Sequence, residues 1–146
     1  MSRDILKIFA ARVGYSSADL EHFQEGDPRL RQMEKLAKAA PRFSIEAKVV
    51  KSRHCNSGYQ IGDRFILDVD GNFIAKLCPQ KICVYLASQL IVPVALINER
   101  LSESLDPNSF HFMHFVKCLD AGVECSGFGE VMLEMKAVPR VKHLSP

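Results

Sequence analysis

Residues 64–74 of this chain have the sequence Arg-Phe-Ile-Leu-Asp-Val-Asp-Gly-Asn-Phe-Ile. Every second residue from Phe65 to Val69 is apolar, as on the buried face of a β-strand. Asp70-Gly71 is a strong signal for a two-residue hairpin turn, and Phe73-Ile74 then begins a return strand. This stretch therefore predicts antiparallel strands.

The residues on the N-terminal side predict one more strand, preceded by helices. Apolar and polar residues alternate from Ile45 to Val49, which is typical of a strand. The residues before Pro41 have helical spacing instead. Ser16-Ser-Ala-Asp19 has the spacing of a capping box, Asp27-Pro28 can begin a helix, and Pro41 ends it.

On the C-terminal side, Ile82 to Ile97 is almost entirely apolar. The run is shorter than the ~20 apolar residues of a membrane-spanning helix, so we expect a buried core helix and no membrane insertion. Cys78-Pro79 predicts the start of this helix, with Cys78 as the N-terminal cap and Pro79 at the first helical position. Pro93 should kink this helix or end its first part.

Helices, strands, one long helix and further strands predict an α+β fold. It would consist of N-terminal helices and then a small antiparallel sheet packed against one long apolar helix. We expect a helical segment over residues 1–43 and an α+β part over residues 44–140, together forming one compact unit.

The composition is that of one globular domain. The 146 residues are 47% hydrophobic and 25% charged, with a net charge of +2. Because the net charge is small and acidic and basic residues are well mixed, the composition argues against a nucleic-acid-binding surface. The N-terminus lacks a signal-peptide pattern. We therefore expect a cytoplasmic protein, whose five cysteines are thiols, metal ligands or redox groups rather than a disulfide framework.

The last part of the chain predicts a hairpin of residues 109–119 and 123–138, with residues 121–122 as its turn. In that register Cys118 lies opposite Cys125, and a slip by one residue would turn charged side chains inward. The inward face then carries Phe110, Phe112, His114, Val116, Cys118, Cys125, Gly127, Gly129, Val131 and Leu133.

Gly127 and Gly129 would leave a gap on this face. Glycine within a strand often marks the close approach of a ligand or of another backbone. His114, Cys118 and Cys125 border the gap and complete a predicted ligand pocket. Opposed Cβ atoms lie ~4.5–5.5 Å apart, so both cysteines could touch one ligand. His114 lies about 13 Å from Cys118 along the strand and would serve as a polar anchor or proton carrier at the other end.

Four cysteines are candidate ligands of zinc or iron, because four thiolates can form a tetrahedral site. They are Cys78, Cys83, Cys118 and Cys125. Only the spacing of Cys78 and Cys83 approaches the usual one. At a helix start, Cys78 would also be the best candidate for a reactive thiolate. The alternatives are ordinary buried cysteines or a disulfide between Cys118 and Cys125.

These motifs resemble a family of short prokaryotic proteins of unknown function. Cys78-Pro79 with Cys83 matches the Cys-Pro…Cys helix start of that family. Cys118-Leu-Asp-Ala-Gly-Val-Glu-Cys125-Ser-Gly-Phe-Gly129 matches its Cys…Gly-Val…Cys-x-Gly-x-Gly hairpin. The resemblance covers residues 44–137. The resemblance implies where the fold begins and ends, and it singles out the four cysteines as candidate functional residues. It implies no reaction.

We therefore expect a domain that binds a metal ion or a small molecule in a pocket lined by cysteines and a histidine. Cys78 and His114 are the candidates for any thiolate or metal-assisted catalysis. The alternative is an accessory or interaction subunit without chemistry, which binds a partner subunit or a second copy. Its surface would be the apolar part of the outer hairpin face, formed by Met113, Phe115, Phe128 and Met132.

Overall fold

The computed structural model describes residues 2–142, which begin with the predicted helices. The helix bounds are Ser2–Val13 for α1, Ser17–Leu20 for α2 and Pro28–Ala39 for α3. Both predicted caps are present. Ser16 and Asp19 form a capping box at the start of α2, and the Asp27 carboxylate accepts the N–H of Arg29 at the start of α3, at 2.8 Å.

In the described part of the chain, four strands form one antiparallel sheet, and the fold is α+β. The strand bounds are Phe43–Arg53 for β1, Arg64–Leu67 for β2, Phe115–Lys117 for β3 and Glu130–Pro139 for β4. The order across the sheet is β2-β1-β4-β3. The two long strands, β1 and β4, therefore lie in the centre, and the short ones lie at the edges.

The central strands bury the residues that their alternation predicts. Ile45, Ala47 and Val49 of β1 are completely buried. Ala47 lies opposite Met135 of β4, and Val49 lies opposite Leu133, both of which are also completely buried. This apolar side of the sheet is the centre of the core.

The long apolar helix begins later than predicted. A 3-10 turn at Ala75–Leu77 ends at Cys78, whose backbone N–H donates to the carbonyl oxygen of Ala75. The chain then continues without helical structure until Cys83, the N-terminal cap of α4, which spans Val84–Ala87. The prediction that Cys78 caps this helix is wrong, because its N–H closes the preceding turn.

A second 3-10 turn separates α4 from α5, which spans Ile91–Ser102. Pro93 lies in the first turn of α5, where its missing N–H breaks no helical hydrogen bond. The break in the helical run lies at Ser88–Leu90, before Pro93, and α5 continues through Pro93. Val84–Ser102 is long and apolar enough to cross a membrane by length and composition alone. Its inner side contributes buried residues to the core at intervals of three or four: Leu86, Leu90, Pro93, Ile97 and Leu101.

The register of the last two strands is shifted from the predicted one. Val116 lies opposite Leu133 instead of Gly127, a shift of six residues. The connection between the strands is therefore a long loop over 118–129. An even shift keeps the paired residues on their predicted faces, so Val116 and Leu133 are buried as expected. Phe112 and Cys125, which were also predicted to face inward, lie outside the paired strands and are exposed.

Two predicted strand segments are absent from the sheet. Met113 has a φ of +66°, a left-handed conformation that ends the extended chain before Phe115. After the turn near Asp70-Gly71, the return strand is reduced to one bridge between Leu67 and Phe73. The turn is wider than two residues because the Asp68 carboxylate accepts N–H groups of the turn.

Candidate ligand-binding cleft

A cleft of about 940 Å³ lies between the end of β1, the start of α4 and the loop from β3 to β4. Its volume is in the range of small-molecule sites, ~300–1,000 Å³. Most of its wall is apolar or aromatic, formed by Tyr59, Tyr85, Leu86, Leu119, Phe128 and Val131. The polar and charged residues at the cleft are His54, Asn56, Ser57, Asp120 and Glu130.

Three cysteines from three separate segments line this cleft. Cys55 follows β1, Cys83 caps α4 and Cys118 follows β3. Each is partly buried and packs against the hydrophobic core. All five cysteines are free thiols, so the alternative of a disulfide between Cys118 and Cys125 is wrong.

Cys83 is held in place by Tyr59. The Tyr59 hydroxyl donates to the carbonyl oxygen of Lys81 at 2.8 Å and accepts the N–H of Cys83 at 2.7 Å. Tyr59 is 4% exposed, and its ring packs edge-on against that of Phe65. Burial raises the pKa of the Tyr59 hydroxyl, because the charged phenolate is poorly solvated there. Tyr59 therefore joins the core of the sheet to the segment that carries Cys83.

Cys118 is placed by the edge of the sheet. Its backbone N–H donates to the carbonyl oxygen of Val131 at 2.9 Å. The Val131 N–H in turn donates to the sulfur of Cys118 at 3.3 Å. The thiol takes the place of a backbone acceptor at the point where the chain leaves β3.

Asp120 closes the loop that follows Cys118. Its Oδ1 accepts the N–H groups of Gly122 at 2.9 Å and Phe128 at 2.8 Å, and its Oδ2 accepts that of Gly129 at 3.1 Å. These hydrogen bonds lower the pKa of Asp120, because they stabilise the charged carboxylate. Asp120 is therefore the residue that brings the two ends of the loop together.

Neither glycine leaves the predicted gap for a ligand. A Cβ on Gly127 would lie 2.1 Å from Oδ1 of Asp120, and a Cβ on Gly129 would lie 2.4 Å from the carbonyl oxygen of His54. Both positions are occupied by neighbouring protein atoms. The glycines therefore allow the close approach of other parts of the chain and not of a ligand. His54 itself has a φ of +54°, an uncommon conformation for a residue with a side chain.

The charge of Glu130 at the cleft is balanced by two lysines. Its carboxylate lies 3.2 Å from Nζ of Lys51 and 3.3 Å from Nζ of Lys117. Hydrogen bonds from Lys51 and then Lys117 lower the pKa of Glu130. The cleft therefore has no strongly acidic wall on this side.

The structure separates the residues of the predicted pocket. Cys118 and Gly129 line the cleft, whereas Gly127 lies against Asp120 and Cys125 is exposed. His114 lies outside the cleft. Its ring stacks on that of Phe110, with 4.0 Å between the centroids, and its Nε2 contacts the carbonyl oxygen of Phe110. The role of His114 as a polar anchor in this pocket is therefore not supported.

The four predicted metal ligands do not come together either. Cys83 and Cys118 line the cleft, and Cys125 is on the surface. The sulfur of Cys78 lies 3.4 Å from both the backbone nitrogen and the carbonyl oxygen of Ile66. Among residues 2–142, no group of three or more His, Cys, Asp or Glu side chains is arranged to hold a metal ion.

The surroundings of Cys78 do not favour the reactive thiolate that the sequence predicts there. Burial raises its pKa, whereas a position at a helix start would lower it. Cys78 ends a short 3-10 turn and packs against β2 instead of starting a helix. No dipole of a long helix stabilises a charged sulfur there.

Sequence reasoning missed Tyr59 and the closing role of Asp120, and it could not position Cys55. Asp120 is followed two residues later by Gly122, which is the pattern of an Asx turn, so a local signal existed. No local signal predicts the packing of Tyr59 beneath Cys83, since the two residues are 24 positions apart.

Comparisons with protein-family models, with curated proteins and with solved structures found no match to this chain. Its resemblance to a family of short prokaryotic proteins therefore remains an expectation.

Proposed function

We propose that this protein binds a small, predominantly apolar organic molecule in the cleft, in contact with the thiols of Cys55, Cys83 and Cys118. The observation that carries this proposal is the convergence of three free thiols, from three separate segments, on one cleft of about 940 Å³. A cytoplasmic location, in which thiols stay reduced, is part of the same proposal.

The chemistry of the wall favours an uncharged ligand. Asp120 is already hydrogen-bonded to three backbone N–H groups, and Glu130 is paired with Lys51 and Lys117. Neither carboxylate is left to balance a cationic ligand. Thiols behave as small apolar groups with weak hydrogen-bonding capacity, so they extend the aromatic wall. Polar contacts are offered by the side of the cleft that carries His54 and Asn56.

An accessory or interaction role is the second candidate. It is favoured by the two phenylalanines of the predicted outer patch, because Phe115 is 56% exposed and Phe128 is 81% exposed. Phe128 also lines the cleft, so a protein partner would cover the same opening that a small molecule enters. Under this candidate, changing Phe115 and Phe128 to serine abolishes binding of the partner, while cysteine changes have little effect.

Thiol labelling tests the small-molecule proposal. The uncharged fluorescent probe N-phenyl-1-naphthylamine is added, and the rate of N-ethylmaleimide labelling at each cysteine is followed by mass spectrometry. A probe in the cleft should slow labelling of Cys55, Cys83 and Cys118 by roughly tenfold at about ten times its Kd. Cys125, which is exposed and outside the cleft, is the internal control and should keep its rate.

Unchanged rates at all three cleft cysteines would contradict the proposal, and so would an equal slowing at Cys125.

Elemental analysis of protein purified without chelator tests the metal form of the prediction. About one equivalent of zinc or iron, with thiols that become reactive only after metal removal, would replace the small-molecule proposal with a metal site.

A further inference from the structure

The outer side of the helical run Val84–Ser102 is apolar and exposed. Val84 is 68% exposed, Ile91 is 70% exposed and Val92 is 45% exposed, and Ala95 is exposed beside them. These residues point away from the buried stripe of the same run. No described residue of the chain covers them, although each is of a type that normally packs against other apolar groups.

The spacing of this face is that of a helix-pairing seam. Val84, Ser88, Ile91 and Ala95 follow one another at intervals of four, three and four residues, as the inward positions of paired helices do. Val84 belongs to α4, Ser88 to the 3-10 turn, and Ile91 and Ala95 to α5. The small residues Ser88 and Ala95 flank Ile91. Residues 88, 91, 92 and 95 have the spacing of the four residues that surround one side chain inserted from a facing helix.

The face also carries no charge. Between Lys81 and Glu99 the sequence contains no Asp, Glu, Lys or Arg. A two-fold symmetric contact places a surface against an identical copy of itself. Near the axis of such a contact, any charge would meet the same charge, so an uncharged face is suited to self-association.

We propose that two copies of this chain associate through this face, with the two helical runs antiparallel and the two-fold axis near Ile91. Each Ile91 then packs between Ser88 and Ala95 of the other copy. This inference goes beyond the proposed cleft ligand and does not depend on it.

The charges at the two ends of the face complement one another in this arrangement. Lys81 and Glu99 are both exposed, and neither forms an ion pair with another described residue. An antiparallel pair brings Lys81 of one copy towards Glu99 of the other, twice by symmetry. A parallel pair would instead place each residue near its own copy.

The exposed apolar area favours a reversible dimer. Four side chains expose much less than the ~800 Å² per partner of a standard interface, so we expect a dissociation constant in the micromolar range. A membrane surface fits less well. Helices that lie on anionic membranes carry Lys or Arg along the polar side, and this run carries neither between Lys81 and Arg100.

Sedimentation velocity at protein concentrations between about 5 and 500 µM tests the proposal. The measured mass is compared with that of the monomer, 16.4 kDa. The unaltered chain should shift towards twice this mass, whereas Ile91→Glu should remain monomeric throughout. Ile61→Glu is the matched control, since Ile61 is equally exposed at 70% and lies in the loop before β2; it should dimerise normally. A monomeric unaltered chain, or a dimer that survives Ile91→Glu, would overturn the proposal.

Charge reversal gives a second test that leaves the apolar face intact. Lys81→Glu and Glu99→Lys should each weaken the dimer at low salt, because each places like charges together, and the double variant should restore it. Absence of this rescue would overturn the antiparallel arrangement. Flotation with phosphatidylglycerol vesicles tests whether the face binds a membrane surface instead. A chain that binds the vesicles and stays monomeric at 500 µM would overturn the dimer.

Discussion

The Oδ1 atom of Asp120 lies beside Gly127, at the place where a side chain would begin. A Cβ on Gly127 would be 2.1 Å from that oxygen and 2.7 Å from the backbone nitrogen of Gly122. The carboxylate reaches the far end of its loop only because position 127 has no side chain. Leu119 and Phe128, which line the cleft, flank these two residues in the chain. The shape of the cleft therefore depends on this contact.

Gly127→Ala should destabilise the protein by about 1–3 kcal/mol, because the added methyl group forces the Asp120 carboxylate or the loop backbone to move. Gly127 is not in the left-handed region, so the cost is steric. Urea denaturation measures the change. Val123→Ala, at a 63% exposed position of the same loop, should change the stability by less than about 0.5 kcal/mol. Equal effects of the two substitutions would contradict the steric explanation.

The contribution of Asp120 to stability should depend on pH. Its pKa is lower in the folded chain than the usual unfolded value of about 3.9. As pH falls, the unfolded state takes up its proton first, so the contribution is complete above about pH 4 and declines as pH falls towards the folded pKa. The stability difference between the unaltered chain and Asp120→Ala, followed by urea denaturation from neutral pH downwards, should shrink over that range. A difference that stays constant would show that the carboxylate charge plays no part.

Tyr59→Phe should cost about 1–2 kcal/mol, because it leaves the Cys83 N–H and the Lys81 carbonyl without their shared partner. It should also increase the rate of N-ethylmaleimide labelling at Cys83, since the segment that carries the thiol is released. Tyr85→Phe is a matched control: Tyr85 is 65% exposed and also lines the cleft. If Tyr85→Phe destabilises the chain as much, the hydroxyl bridge of Tyr59 is not the cause.

Cys78 should be the slowest cysteine to react with iodoacetamide. Its pKa is raised by burial, and thiolate is the reactive form. At pH 8, labelling at the half-buried Cys78 should be slower than at the exposed Cys125. Peptide mass spectrometry of the same sample measures both rates. A faster reaction at Cys78 would restore the prediction of a reactive thiolate at this position.

Local sequence patterns predicted the elements whose stabilising contacts lie within a few residues. The capping box of Ser16 and Asp19 and the cap of Asp27 follow from hydrogen bonds that span two or three positions. The buried residues Ile45 and Val49 follow from the period of two in a strand. The inward faces of β3 and β4 were predicted for the same reason, even though their register was wrong.

The register and the cleft were decided by tertiary structure. The sequence of the loop 118–129 fits a two-residue turn at 121–122, and only the bonds of Asp120 to Phe128 and Gly129, together with the packing of Gly129 on His54, select the longer loop. Cys55 and Cys118 are likewise brought to one cleft by strand pairing across the sheet. Such contacts join residues far apart in the chain, and the free energy that selects them comes from packing and hydrogen bonds that exist only once the sheet has formed.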